Sequence, residues 1–177
     1  MSKRGRRLPN QQAGESGWVE VLWAPWRGAY LSGPKPQECI FCLARDAEDL
    51  AEQYVLATQP AVVMLNKFPY ATGHLMVAPR RHTADFAGMP RKEACEVLAT
   101  AQKAAAILHE VFQPDGMNIG LNLGAAAGAG FTDHLHWHLV PRWIGDTNFM
   151  PVVAGVKVMP EHLSATYEKL KPYFARR

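Results

Sequence analysis

Asp133-His134-Leu135-His136-Trp137-His138-Leu139-Val140-Pro141-Arg142-Trp143 sets three histidines at every second residue. Successive side chains of a strand point to opposite faces. His134, His136 and His138 are therefore predicted on one face, with Leu135, Trp137 and Leu139 on the other, apolar one. On a helix, steps of two turn by about 200° and scatter the imidazoles. The cluster calls for a strand, and three imidazoles on one solvent-reachable face imply binding or chemistry.

Met117-Asn118-Ile119-Gly120-Leu121-Asn122-Leu123 alternates strictly. Met117, Ile119, Leu121 and Leu123 form one face of a second strand; Asn118, Gly120 and Asn122 form the other. Paired with the histidine strand, it brings the asparagines beside the imidazoles. Between the two runs Gly124-Ala125-Ala126-Ala127-Gly128-Ala129-Gly130-Phe131-Thr132-Asp133. Small residues let backbone N–H groups approach a ligand, and consecutive N–H groups form an anion-binding nest. Beside three histidines this loop is a phosphate cradle, with Asn122, Gly128, Gly130 and Thr132 as candidate substrate contacts.

Imidazole, with an ordinary pKa of about 6.5, is mostly neutral at pH 7 and carries a nucleophilic lone pair. Attack on phosphorus needs that lone pair aimed and the opposite ring N–H held by an acceptor, such as a backbone carbonyl. Loop amides, Asn122 and a neighbouring histidine can serve the anionic oxygens. The product is a phospho-histidine intermediate that splits one displacement into two, with His138 donating toward the leaving-group oxygen. This reading needs the middle imidazole within reach of solvent and off any metal. The rival reading is a catalytic metal held by all three histidines. Their outer Cα atoms would lie about 13 Å apart at about 3.3 Å per residue, which is stretched for one ion. A divided role follows: one histidine to zinc, the others to phosphorus.

The chain has 177 residues, 48% hydrophobic and 20% charged, with a net charge of +3. That fits one domain. The charge does not argue for nucleic acid, and no apolar run reaches the ~18 residues of a membrane span. The start lacks the apolar segment of a signal peptide. Three cysteines argue against a disulfide framework and fit a reducing, cytoplasmic setting. Residues 1–17, with Lys3, Arg4, Arg6 and Arg7, read as a disordered basic tail, a polyanion-binding arm being the alternative; residues 18–177 read as the single domain. Trp18, Trp23 and Trp26 read as an aromatic segment against the core, or a base-stacking platform.

Cys39-Ile40-Phe41-Cys42 is half of a tetrahedral zinc site or a redox dithiol. A redox pair opens a helix after a strand, and Gly33-Pro34-Lys35-Pro36 is not strand-like, so zinc is favoured. His82 is a candidate further ligand. Residues 45–53 read as a short charged helix or loop. Residues 61–66 and 74–79 form an antiparallel strand pair around a Pro/Gly-punctuated loop. From 90 to 112 a helical stripe runs through Ala94, Val97, Leu98, Ala101, Ala105, Leu108 and Phe112, with His109 on the polar side, ended by Gln113-Pro114-Asp115-Gly116. Residues 152–158 suggest a further short strand, and 161–171 a terminal helix.

His134-Leu135-His136-Trp137-His138-Leu139-Val140 matches His-φ-His-φ-His-φ-φ, with φ apolar, and so resembles the histidine triad family. Leu65-Asn66, Gly73-His74 and Val77-Ala78-Pro79 look like that family's N-terminal hairpin, and residues 115–124 like the strand feeding its phosphate loop. Residues 22–27 and 141–149 resemble a bacterial branch of diadenosine tetraphosphate phosphorylases, or ATP adenylyltransferase-like proteins. The likeness covers about residues 18–172. It implies an α+β fold with a five-stranded antiparallel sheet, a long helix and a C-terminal helix. It also implies a homodimer with the long helix at its interface.

By the same resemblance, His136 is the nucleophile that forms a nucleotidyl-histidine, and His138 contacts phosphate oxygens. Asn66 contacts the ribose of a nucleotide substrate, and Asn122 lies near its phosphates. Cys39, Cys42, His82 and His134 form a closed structural zinc site. Where fragile-histidine-triad hydrolases carry Gln and some phosphorylases Ser, four residues before the first triad histidine, this chain has Gly130. The second-step acceptor, phosphate or water, is therefore left open.

Overall fold

The computed structural model describes residues 38–146 and 161–175. The basic tail, the tryptophan segment and the strand expected at 152–158 lie outside them. The order of elements is α1 (Ile40–Asp46), β1 (Val55–Ala57), β2 (Val62–Leu65), β3 (Leu75–Ala78), α2 (Arg91–Phe112), β4 (Gly116–Leu121), a single 3₁₀ turn (Ala125–Ala127), β5 (Trp137–Arg142) and α3 (Leu163–Ala175). The strands form one antiparallel sheet in the order β1-β2-β3-β5-β4, the five-stranded α+β arrangement expected.

The sheet is covered unequally. Val63, Leu65, Leu75, Val77 and Leu139 point to one side, where α2 and α3 supply Val97, Ala101, Ala104, Leu108, Tyr167 and Leu170. Removing each Leu or Val here from water stabilises the fold by roughly 1.5–3 kcal/mol. On the other side, among the described residues, Val62, Met64, Met76 and Ala78 meet the short α1, through Phe41 and Ala44, and Phe131. That side is left for the histidines. Register fixes it: Met76 and Gly120 stand opposite His138, while Val77 and Leu121 stand opposite Trp137 on the helix-covered side.

Four features depart from the sequence reading. Only His138 lies within β5, because Leu135 N–H bonds to Thr83 O at 2.8 Å instead of extending the ladder. Pro79, which has no N–H to donate, ends the partner strand there. Leu98, expected on the buried stripe, is 57% exposed; it lies about 100° around α2 from the buried Val97. Ile119 and Leu123, expected on an apolar face, stand 53% and 50% exposed, Ile119 on β4, the edge strand among the described residues, and Leu123 just past its end. Finally, β1, which the sequence reading did not place, has three residues, too few for an alternation to show; residues 47–53 after α1 form the loop that was one of the two readings for 45–53.

The end of α2 does follow the sequence signal. Gln113 takes a left-handed φ of 47°, donates its N–H to His109 O, and Pro114 follows. His109 is exposed, as its position on the polar side requires.

Candidate active site and metal-ligand group

Each triad histidine has one ring nitrogen committed, and the commitments differ. His134 Nε2 donates to Pro79 O at 2.8 Å, so its Nδ1 lone pair faces Cys39 Sγ at 3.1 Å. His136 Nδ1 donates to His134 O at 2.9 Å, which leaves the lone pair on Nε2. This is the backbone-carbonyl anchor that a nucleophilic imidazole needs.

His138 is set by a residue that the sequence reading gave no role. His74, fully buried at the mouth of β3, accepts at Nδ1 from Tyr70 N–H at 3.1 Å, with Asn66 Nδ2 a second donor at 3.4 Å. Its proton is thus on Nε2, which donates to His138 Nδ1 at 3.0 Å. His138 therefore carries its own proton on Nε2, as a donor. Tyr70 stacks on His74 at 4.9 Å and 21°. The signal was present: steps of two from Met76 and Ala78 include His74, on the side that meets His138.

The rings of His136 and His138 meet edge-on at 4.9 Å. His136 is only 5% exposed, so the solvent-reachable face expected of it is a nearly closed one. Phe41 packs against it at 4.8 Å and Phe131 against Phe41 at 6.3 Å. Burial holds His136 below the ordinary histidine range and, with the His136 ring adding to it, pushes His138 down to about 4. Both rings are neutral at pH 7.

The remaining candidates fall around this pair. Gly124 and Gly128 take left-handed φ values of 77° and 87°, and a Cβ on Gly128 would sit 3.9 Å from Asn122 Nδ2. Loop and asparagine therefore meet as expected. Gly130 and Thr132 are exposed, and Thr132 Oγ1 donates to Asp133 at 2.9 Å. Asn66 Oδ1 accepts from Phe68 N–H at 2.8 Å, which shapes the hairpin loop. Beyond β5, Arg142 ties Asp146 and Asn118 together.

Cys39, Cys42, His82 and His134 come together with their ligand atoms all within 4.8 Å of one another. Two thiols and two imidazoles at that spacing suit tetrahedral zinc, and the Pro79 carbonyl orients His134 as an outer partner would. Burial raises the Cys39 thiol, so a bound cation is what would favour its thiolate. Cys39 does cap α1, as a redox pair would, yet the four converging donors fit a metal. Cys95 is exposed and apart from the group. No helix among the described residues is long and apolar enough to cross a membrane.

Residues 48–143 match the HIT domain family model. Over 173 residues the chain is 35% identical to AP-4-A phosphorylase of Mycobacterium tuberculosis (strain ATCC 25618 / H37Rv), covering 93% of this chain and 89% of that one. Bis(5'-adenosyl)-triphosphatase of Dictyostelium discoideum is 27% identical over 85 residues, 48% of this chain and 56% of its own length. Among solved structures, a Zn-bound histidine triad family protein from Mycobacterium smegmatis superposes with a TM-score of 0.62 at 26% identity, covering 78% of this chain and 94% of that one. With the family model spanning more than half of its length and the triad in the arrangement just described, this chain belongs to the histidine triad (HIT) family.

Proposed function

We propose that this protein is a nucleotidyl transferase or hydrolase that cleaves dinucleoside polyphosphates of the diadenosine tetraphosphate kind through a nucleotidyl-His136 intermediate. One observation carries the reading: His136 and His138, in contact, hold opposite tautomers. His136 offers a lone pair at Nε2 and His138 a proton at Nε2. The printed activities of the phosphorylase and triphosphatase relatives support the substrate class.

In the first step His136 Nε2 bonds to the phosphorus beside one nucleoside. The phosphoanhydride bond breaks and the remaining polyphosphate leaves with its electron pair. His138 Nε2–H hydrogen-bonds the departing or non-bridging oxygen, and the amides of residues 124–130 and Asn122 receive the others. In the second step phosphate or water attacks the same phosphorus and restores the imidazole. Asn66 contacts the ribose through the group it does not spend on Phe68. Nε2 of His136 is reached only as the side chains that nearly close over it give way to substrate.

Cys39, Cys42, His82 and His134 would hold zinc, which there contributes folding energy. The rival in which all three triad histidines ligate a catalytic metal is disfavoured. Among the described residues the ligand group takes only His134 of the three. The protein works as a homodimer, a reading supported by half-exposed Ile119 and Leu123 at β4, which is an edge strand among the described residues, and by exposed Leu98 on α2. Its setting is cytoplasmic, consistent with thiols kept free for a metal.

The test is incubation with diadenosine tetraphosphate, with and without inorganic phosphate, followed by acid-free quench and mass spectrometry. Adenylylated His136 is expected. ADP plus ATP marks phosphorolysis, and AMP plus ATP marks hydrolysis. Normal turnover by His136→Ala refutes the reading.

A further inference from the structure

Phe41 lies between the two cysteines of the metal-ligand group, within α1, and is 1% exposed. Its ring centre stands 5.2 Å from that of His134 and 4.8 Å from that of His136. It is tilted only 30° against His136, so a flat face backs the imidazole. A helix of seven residues does not hold itself in water. The N-terminal end of α1 is tied down where Cys39 Sγ meets His134 Nδ1 at 3.1 Å and Cys42 Sγ meets His82 Nδ1 at 3.5 Å. The same His134 lends its carbonyl to His136. Two routes, one through packing and one through backbone, thus join the ligand group to the nucleophile.

We propose that Phe41 is a positioning residue that makes the alignment of the His136 ring depend on an occupied Cys39–Cys42–His82–His134 site. The proposal rests on His136 being the nucleophile. With the four ligands tied together, Cys39 and Cys42 hold α1, and α1 holds the Phe41 ring against His136. Untied, α1 loses its anchor and His136 is freer to turn away from the His134 carbonyl that accepts its N–H. Coupling between two sites is reciprocal, so a nucleotide seated at His136 raises the zinc affinity by the factor by which the metal raises the affinity for that nucleotide.

The test uses the zinc-loaded protein. Zinc affinity is measured by equilibrium competition with a chromophoric chelator, with and without saturating AMP, in the wild type and in Phe41→Leu and Phe41→Met. AMP is expected to raise the zinc affinity by about fivefold or more in the wild type and to lose most of that effect in both variants. Their kcat should fall by about tenfold or more with KM little changed, as a misaimed nucleophile requires. Val62→Ala hollows the same apolar cluster and should lower Tm while keeping both the AMP effect and kcat. An unchanged zinc affinity with AMP in the wild type overturns the proposal, whether or not the Phe41 variants fold. So does normal kcat in the variants. An inactive His136→Ala alongside unaffected Phe41 variants sinks only the coupling; an active His136→Ala sinks the nucleophile.

Discussion

His74 Nε2 stands 3.0 Å from His138 Nδ1, and His74 is fully buried. A fourth histidine, outside the triad motif, thereby decides which nitrogen of the third carries the proton. His74→Phe keeps the volume and removes the donor. The freed His138 Nδ1 then competes for the proton that Nε2 must present. Loss of one hydrogen bond of about 1–2 kcal/mol corresponds to roughly a tenfold drop in kcat. Steady-state kinetics with a diadenosine substrate decide this; an unchanged kcat means His74 is only core.

Acid pH should act late on turnover and early on stability. His136 lies below the ordinary histidine value through burial, and His138 is pushed down to about 4. Their folded values lie below their unfolded ones, so the unfolded chain takes up protons first as pH falls. The stability they contribute is full above about pH 6.5 and is lost as pH drops toward about 4. Turnover needs a neutral His136, so the acid limb of kcat/KM falls below 6.5. Melts and rates between pH 8 and 4.5 are the measurement. A limb at 6.5 or higher with flat stability contradicts the assignment.

Stripping the metal should cost stability first. Chelation, or Cys42→Ser, removes a closed site that ties α1 to His82 and His134. Each kcal/mol lost lowers Tm by about 2–4 °C in a chain of this size. Calorimetry before and after chelation is expected to show a drop of several degrees, with turnover reduced but present at low temperature. Complete loss of turnover with an unmoved Tm would instead favour a catalytic metal.

Gly128 holds the loop's left-handed turn, at a φ of 87°. Any side chain there costs about 1–2 kcal/mol of backbone strain. Nothing but Asn122 Nδ2, at 3.9 Å, meets the added Cβ, so the fold tolerates Gly128→Val. The loop amides, however, tilt off the phosphate. The misplaced amides are expected to raise KM by about tenfold, a loss of about 1.4 kcal/mol in phosphate binding, and the strain itself to lower Tm by about 2–8 °C.

Ile119 and Leu98 test the dimer. Ile119→Glu puts a charge on the open β4 edge, and Leu98→Glu one on the exposed side of α2. Either should convert the protein to monomer in light scattering while leaving its circular dichroism intact. A wild type that is already monomeric removes the claim.

The spacing of His134, His136 and His138, the alternation from Met117 to Leu123 and the glycines between them determined the histidine-bearing strand, its partner and the loop. Nearest-neighbour geometry is enough for that, because a two-residue period sorts side chains without reference to the rest of the chain. The long helix was legible for the same reason, although Leu98 and Ile119 were not. Their exposure depends on where the sheet ends and how far α2 reaches across it.

Tertiary structure alone decided which ring nitrogen each of the three histidines leaves free. Pro79 O, His134 O and His74 Nε2, brought in from β3, the chain itself and the hairpin loop, give each ring a different free nitrogen. It likewise closed the four-ligand group across residues 39 to 134 and set Phe41 against His136. A proton's location on an imidazole follows from what lies within 3 Å of each nitrogen. No residue spacing encodes that.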